Sequence, residues 1–265
     1  MTTTQNNELP VWVQDRDKAI AHSTNDQWRG GKIPDYTESK AGLAAESTCN
    51  HVEGSLEAIV ENLVRTFEME VSFKTNPEQW LSVVRDRFRM SSNGGKEYTA
   101  DDVVKGGTYN LFIGDTDAYK ASEETFESSG RLFRTAFPKG FLWEVLEVYS
   151  GPPNIAFKWR HWGTFTGSYK DYSPTGETIE IIGMSVARVT EDLKISAVEH
   201  YFDNTQFFAK LTTSAGDGGN EKQTDNSLWS FFRKLWRRSE EPTVRVQENF
   251  TQQTEVSACP FRFRW

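Results

Sequence analysis

The stretch IAFKWRHWGTFTG, residues 155–167, decides the fold. Read as a strand, its alternate side chains point to opposite faces. One face then carries Ile155, Phe157, Trp159, His161 and Phe165, the other Lys158, Arg160, Thr164 and Thr166. The first set reads as one wall of an apolar interior, and His161 is the ionisable group on it. A second alternating stretch, LKISAVEHYFD at 193–203, places Leu193, Ile195, Ala197, Glu199, Tyr201 and Asp203 on one face. Lys194, Ser196, His200 and Phe202 fall on the other, and His200 is expected to be exposed or at an interface. The more apolar face ends in two carboxylates. A histidine from one strand and carboxylates from another suggest a shared pocket.

Working outward, 141–149 forms a further strand, and Ser150-Gly151-Pro152-Pro153 is a turn whose prolines cannot donate to a sheet. Residues 178–189 make a third strand, Glu191-Asp192 a tight turn, and 206–211 a last short helix. Upstream the period is helical. Ser55 is an N-cap, and Leu56, Ile59, Val60, Leu63, Val64 and Phe67 give 55–74 an amphipathic helix that ends at Asn76-Pro77. Residues 83–90 read as a strand or an extended connection. Thr99, Asp101 and Asp102 open another helix, broken at Gly106-Gly107, and a third spans 118–136. Helices first and an antiparallel meander after them is an α+β pattern rather than a doubly wound one. Three parts follow: an N-terminal arm (1–54) with a short helix or two, a main domain (55–213), and a tail (214–265).

The chain has 265 residues and a net charge of −8, which argues against binding nucleic acid over its whole surface. Aromatic residues make up 13% of it, enough to line a cavity or to fill a wide core. Cys49 and Cys259 are too few and too distant for a disulfide framework, and the polar N-terminus lacks a signal-type apolar region. The cytoplasm is the compartment expected. His22, His51, His161 and His200 show no metal-ligand spacing, and no G-x-S-x-G nucleophile motif occurs, so any chemistry is expected to be cofactor-free proton transfer. Residues 226–265 hold seven Arg or Lys against four Glu, making the tail basic and the body more acidic. Within it, 214–220 reads as linker. Residues 228–238 read as a short helix with Leu228, Phe231, Phe232 and Leu235 on one side and Arg233, Lys234, Arg237 and Arg238 beyond, suited to weak contact with a membrane or a protein.

The stretch WEVLEVYSGPPNIAFKWRHWG (143–163), with WRGGKIPDY (28–36), SLEAIVENLVRTFEMEV (55–71) and FPKGF (137–141), closely resembles the plant pathogen-related proteins. The resemblance runs in order over about residues 20–213. It implies the SnoaL-like polyketide cyclase group of the nuclear transport factor 2-like superfamily. The implied fold is a curved antiparallel sheet wrapped round helices, forming a cone with a cavity, often as a homodimer. Such cyclases carry GTHTG where this chain has Gly163-Thr164-Phe165-Thr166-Gly167, so Phe165 stands in place of their histidine. Their last strand ends in an acid/base aspartate, and the matching position here is Asp203.

Two readings of function follow. In the first, a small apolar carbonyl compound is isomerised, cyclised or cleaved, with Asp203 moving a proton and His161 or Tyr201 steadying the enolate. Trp159, Phe165, Glu199, Tyr201 and Tyr109 would contact the substrate. The second is a ligand-binding or defence-related protein using the same cavity without turnover. A scaffold acting through its basic tail is a third. The competing reading of Asp203 and Glu199 is that they are solvated, or pair with Arg160 or Arg188.

Overall fold

Ser55 starts the longest helix by accepting a hydrogen bond on Oγ from the Ala58 amide, and the helix runs Leu56–Phe73. This is α3, preceded by α1 (Arg16–His22) and α2 (Thr37–Glu46) in the N-terminal arm. A computed structural model describes residues 9–213; the expected linker, the 228–238 helix and Cys259 lie outside the described residues. Val60, Leu63, Phe67 and Val71 recur along one stripe of α3, and burying that stripe, rather than helix propensity alone, holds the helix in place.

The stripe packs on a five-stranded sheet. Its strands are β1 (Arg89–Ser92), β2 (Leu142–Ser150), β3 (Asn154–Thr164), β4 (Thr178–Val189) and β5 (Ile195–Phe202), in spatial order β1-β5-β4-β3-β2. The last four form the antiparallel meander read from the sequence, and β1 joins its edge parallel to β5. Of the 83–90 stretch only its end enters the ladder, although Val83 makes a single bridge to Ile195. The layers are therefore α+β, as the change of period implied. Irregular registers in β2 and β5 bend the sheet round α3.

Two short helices, α4 (Ala100–Gly106) and α5 (Thr108–Ile113), meet at Gly107, whose φ of 79° is left-handed. Helix α6 covers Phe126–Ala136, not the whole of 118–136. Its start is set by a Thr125–Ser128 capping box, while Asp115 bridges Lys120 and 121–123 forms a tight turn. The short α7 (Thr205–Leu211) closes the described chain.

The arm is tied to the body through a buried ion pair. Lys74 reaches Glu70 Oε1 and Asp26 Oδ2, both at 2.9 Å, and also Ser23 Oγ and the Gln79 carbonyl. Glu70 in turn accepts from the amides of Leu81 and Ser82 and from the Ser82 hydroxyl. Every oxygen of this buried carboxylate is occupied, which is the condition under which such a pair holds.

Candidate functional site: a hollow between two apolar clusters

The interior contains two clusters of buried side chains instead of one. The first joins the α3 stripe to Ile155, Phe157 and Trp159 of β3. The second gathers Phe133 of α6, Phe137 just past its end, Phe165, and Phe207 and Phe208 of α7. Among the described residues, Ile181 of β4 alone packs against both. Around this junction Tyr109, Phe112, Phe141, Trp143 and His161 are only half-buried, although they face inward. Close-packed interiors leave few such side chains incompletely buried, and here they gather where the two clusters meet.

Glu68 of α3 marks one side of this junction. Half of its side-chain surface is open, yet desolvation by the surrounding protein raises its pKa. A carboxylate on the outer surface would keep its water and show no such shift. The carboxyl is thus both reachable and closely flanked by protein. Arg16 Nη1 lies 3.3 Å from Glu68 Oε2, the Tyr36 hydroxyl donates to the same oxygen at 3.5 Å, and Ser72 donates to Oε1 at 3.4 Å. The Arg16 guanidinium stacks 3.2 Å over the Tyr36 ring, and its Nε is buried without a partner among the described residues. Burial and the Glu68 charge push the Tyr36 phenol well up and that of Tyr109 to about 12. Both hydroxyls therefore stay protonated near neutral pH and can donate.

His161 occupies the inward face of β3 that its parity predicts, directly beside Ile181. Its Nδ1 is 2.7 Å from the Leu142 carbonyl oxygen. A carbonyl only accepts, so Nδ1 carries the proton and Nε2 presents a lone pair. Burial lowers the pKa of the ring to about 4, so it is neutral at physiological pH. Trp159 lies flat on the sheet over Gly183; a Cβ on Gly183 would sit 2.2 Å from Trp159 Cζ2. The indole donates to Ser185 Oγ at 2.8 Å, and Ser185 Oγ is 2.7 Å from His200 Nδ1. His200 is also lowered to about 4 by burial.

The carboxylates of the last strand do not face the interior. Arg188 pairs with Ala197 but Val189 with Ile195, so Ser196 is an extra residue on β5. Such a bulge reverses the side-chain parity beyond it. Val198, His200 and Phe202 consequently turn inward, while Glu199, Tyr201 and Asp203 turn out. Asp203 is exposed, accepts from the Thr205 amide at 2.8 Å, and its pKa is lowered by its hydrogen bonds to Thr205. Glu199 Oε1 accepts from the Gly94 amide at 2.9 Å, and Tyr201 is 45% exposed. Neither carboxylate pairs with Arg160, which is engaged by Glu144 and Glu180. Of the residues expected at the site, Trp159, His161 and Tyr109 line the interior, and Phe165 is fully buried in the second cluster. Glu68, Arg16, Tyr36, Ser185 and His200 join them without being expected from the sequence. The available signal was a glutamate set within the apolar run of α3.

Fold and site together define an α+β protein in which half-buried aromatic and polar side chains gather between a curved sheet and its helices. No family model matches the chain. A pathogen-related protein of Hordeum vulgare is 37% identical over 210 residues, spanning 76% of this chain and 89% of that protein. The chain belongs to the pathogen-related protein family. Among solved structures, a Jannaschia protein assigned to the SnoaL-like polyketide cyclases has TM-score 0.33 and 12% identity over 62% of this chain and 99% of its own. A nuclear transport factor 2-like protein of Burkholderia thailandensis has TM-score 0.32 and 14% identity over 52% and 86%. The architecture itself is defined by the strand order and helices described above. No helix among the described residues is long and apolar enough to cross a membrane.

Proposed function

We propose that a hollow lies where the two clusters meet, and that the chain binds a small apolar carbonyl compound there and moves a proton on it through Glu68, as an isomerase, cyclase or lyase would. The observation that supports this most is the Glu68 carboxyl, enclosed enough for its pKa to rise and open enough to be reached. A base whose pKa approaches the working pH transfers protons most effectively. In the step proposed, a Glu68 oxygen takes the proton from carbon next to the carbonyl. The C–H electron pair moves into the enolate, its charge collecting on oxygen. Tyr109, a protonated donor, hydrogen-bonds that oxygen, and Glu68 returns the proton to carbon. The aromatic walls keep water away and hold the ring system.

The test is deuterium uptake next to the carbonyl in a panel of bicyclic aromatic ketones, followed by mass. Glu68→Gln should slow exchange by about 10²–10⁴-fold while leaving ketone affinity within about threefold. Equal exchange in E68Q and wild type would refute the role of Glu68. Binding with no exchange above buffer would leave the non-catalytic ligand-binding reading.

A further inference from the structure

We propose that His161 selects the ligand: its Nε2 accepts a hydrogen bond from a neutral hydroxyl on an otherwise apolar ring compound. The inference uses the hollow of the proposed function but is independent of proton transfer by Glu68.

The ring of His161 is held from two directions. Its Nδ1–H is committed to the Leu142 carbonyl, and the ring lies 3.9 Å from that of Phe141. With one edge tied and one face covered, the imidazole has little freedom to turn, so the direction of Nε2 is set by the fold. Among the described residues nothing hydrogen-bonds to Nε2. Its inward neighbours along and across the strands, Trp159, Phe165 and Ile181, bring apolar surface there. Apolar neighbours cannot satisfy this lone pair, so a ligand donor that reaches it supplies a partner the protein does not.

The chemistry of that donor is restricted. A carboxylate brings only lone pairs to Nε2 and is repelled, and an ether or a bare hydrocarbon leaves it unpaired. The ring stays neutral over the physiological range, so it offers no charge to an acid. An alcohol or a phenol supplies one proton and no net charge. The ligand class assigned is therefore a hydroxylated apolar ring, with the hydroxyl at the His161 end.

A matched trio tests this: 2-naphthol, 2-methoxynaphthalene and 2-naphthoate, titrated by fluorescence against the full chain, its H161F variant and its E68Q variant. Wild type and E68Q should prefer the naphthol over the methoxy compound by about five- to tenfold, the ratio of one neutral hydrogen bond. In H161F, which keeps an aromatic ring at the site, the ratio should fall to about one. A preserved preference in H161F, or no preference in wild type, overturns the assignment. Loss of preference in E68Q alone would move the contact to Glu68 and overturn it also. A ligand-free check uses ¹⁵N spectra of the ring nitrogens: a protonated Nδ1 and bare Nε2 support the assignment, and a protonated Nε2 refutes it. If none of the three compounds binds, the hollow fails as a binding site and the assignment fails with it.

Discussion

Acidification from about pH 7.5 to about pH 4.5 should remove stability through His161 and His200. Both folded imidazoles have pKa values of about 4, against the ordinary histidine value of 6.5. Between those values the unfolded chain binds protons that the folded chain refuses, so stability falls as the pH falls. The loss begins as pH drops below the unfolded value and levels off below the folded one. Integrated to about pH 4.5, each histidine accounts for roughly 2–3 kcal/mol, a large share of a typical domain's stability. Glu68 works in the other sense. Its raised pKa contributes stability that is present at low pH and is lost as the pH rises through the folded value, so the histidines must be isolated by mutation. Urea unfolding at several pH values, for the parent, H161F, H200F and the double variant, separates them. Each single variant should remove about half of the acid-side loss. A double variant that loses stability with acid as steeply as the parent would refute the argument, as would a parent curve flat down to about pH 4.5.

Other outcomes follow from the same geometry. Lys74→Met strands the buried Glu70 carboxylate and should cost about 3–5 kcal/mol in urea unfolding; a cost below about 1 kcal/mol would mean that water reaches the site. Gly183→Ala drives a methyl into Trp159 and should lift the indole off the sheet, seen as a shift of tryptophan emission and weaker naphthol binding; an unchanged spectrum and affinity would contradict the close approach. Asp203→Asn, which changes only an exposed turn, should leave both ketone exchange and ligand affinity unaltered, and a large loss of exchange would return the acid/base role to that residue. The homodimer expected from the sequence has an apolar face available, the outward Ile182, Met184 and Val186 of central β4 beside Tyr201. Met184→Glu should then convert a dimer to a monomer by light scattering, and a wild-type monomer would end that expectation.

Most of the fold was legible because period is a strong signal. The α3 stripe, the Thr99 capping motif and the four long strands all follow local rules that their residues state plainly. The site was legible only where parity stayed regular. Along β3 it did, and His161 and Trp159 lie on the face their alternation assigns. Along β5 it did not, because the Ser196 bulge is fixed by pairing with Arg188 and Val189, and a single strand's sequence cannot show its partner's register. That one residue moved His200 inside and Asp203 outside. Glu68 was hidden for a different reason. A charge next to a helix's apolar stripe is ordinarily solvated, and only the arm folding back, with Arg16 and Tyr36 laid over it, encloses the carboxyl. The helix expected over 118–136 starts later because 118–124 has helix-compatible residues while the Asp115–Lys120 bridge and the Thr125 cap decide otherwise.

The enclosed yet reachable carboxyl of Glu68 can be measured directly by ¹³C NMR titration of side-chain carboxyls, with E68Q identifying its signal. The midpoint should lie above the reference value of 4.5 and rise further when an apolar ligand displaces water from the hollow. A midpoint at or below that value, unmoved by ligand, would mean that Glu68 faces bulk water and that no such chamber exists.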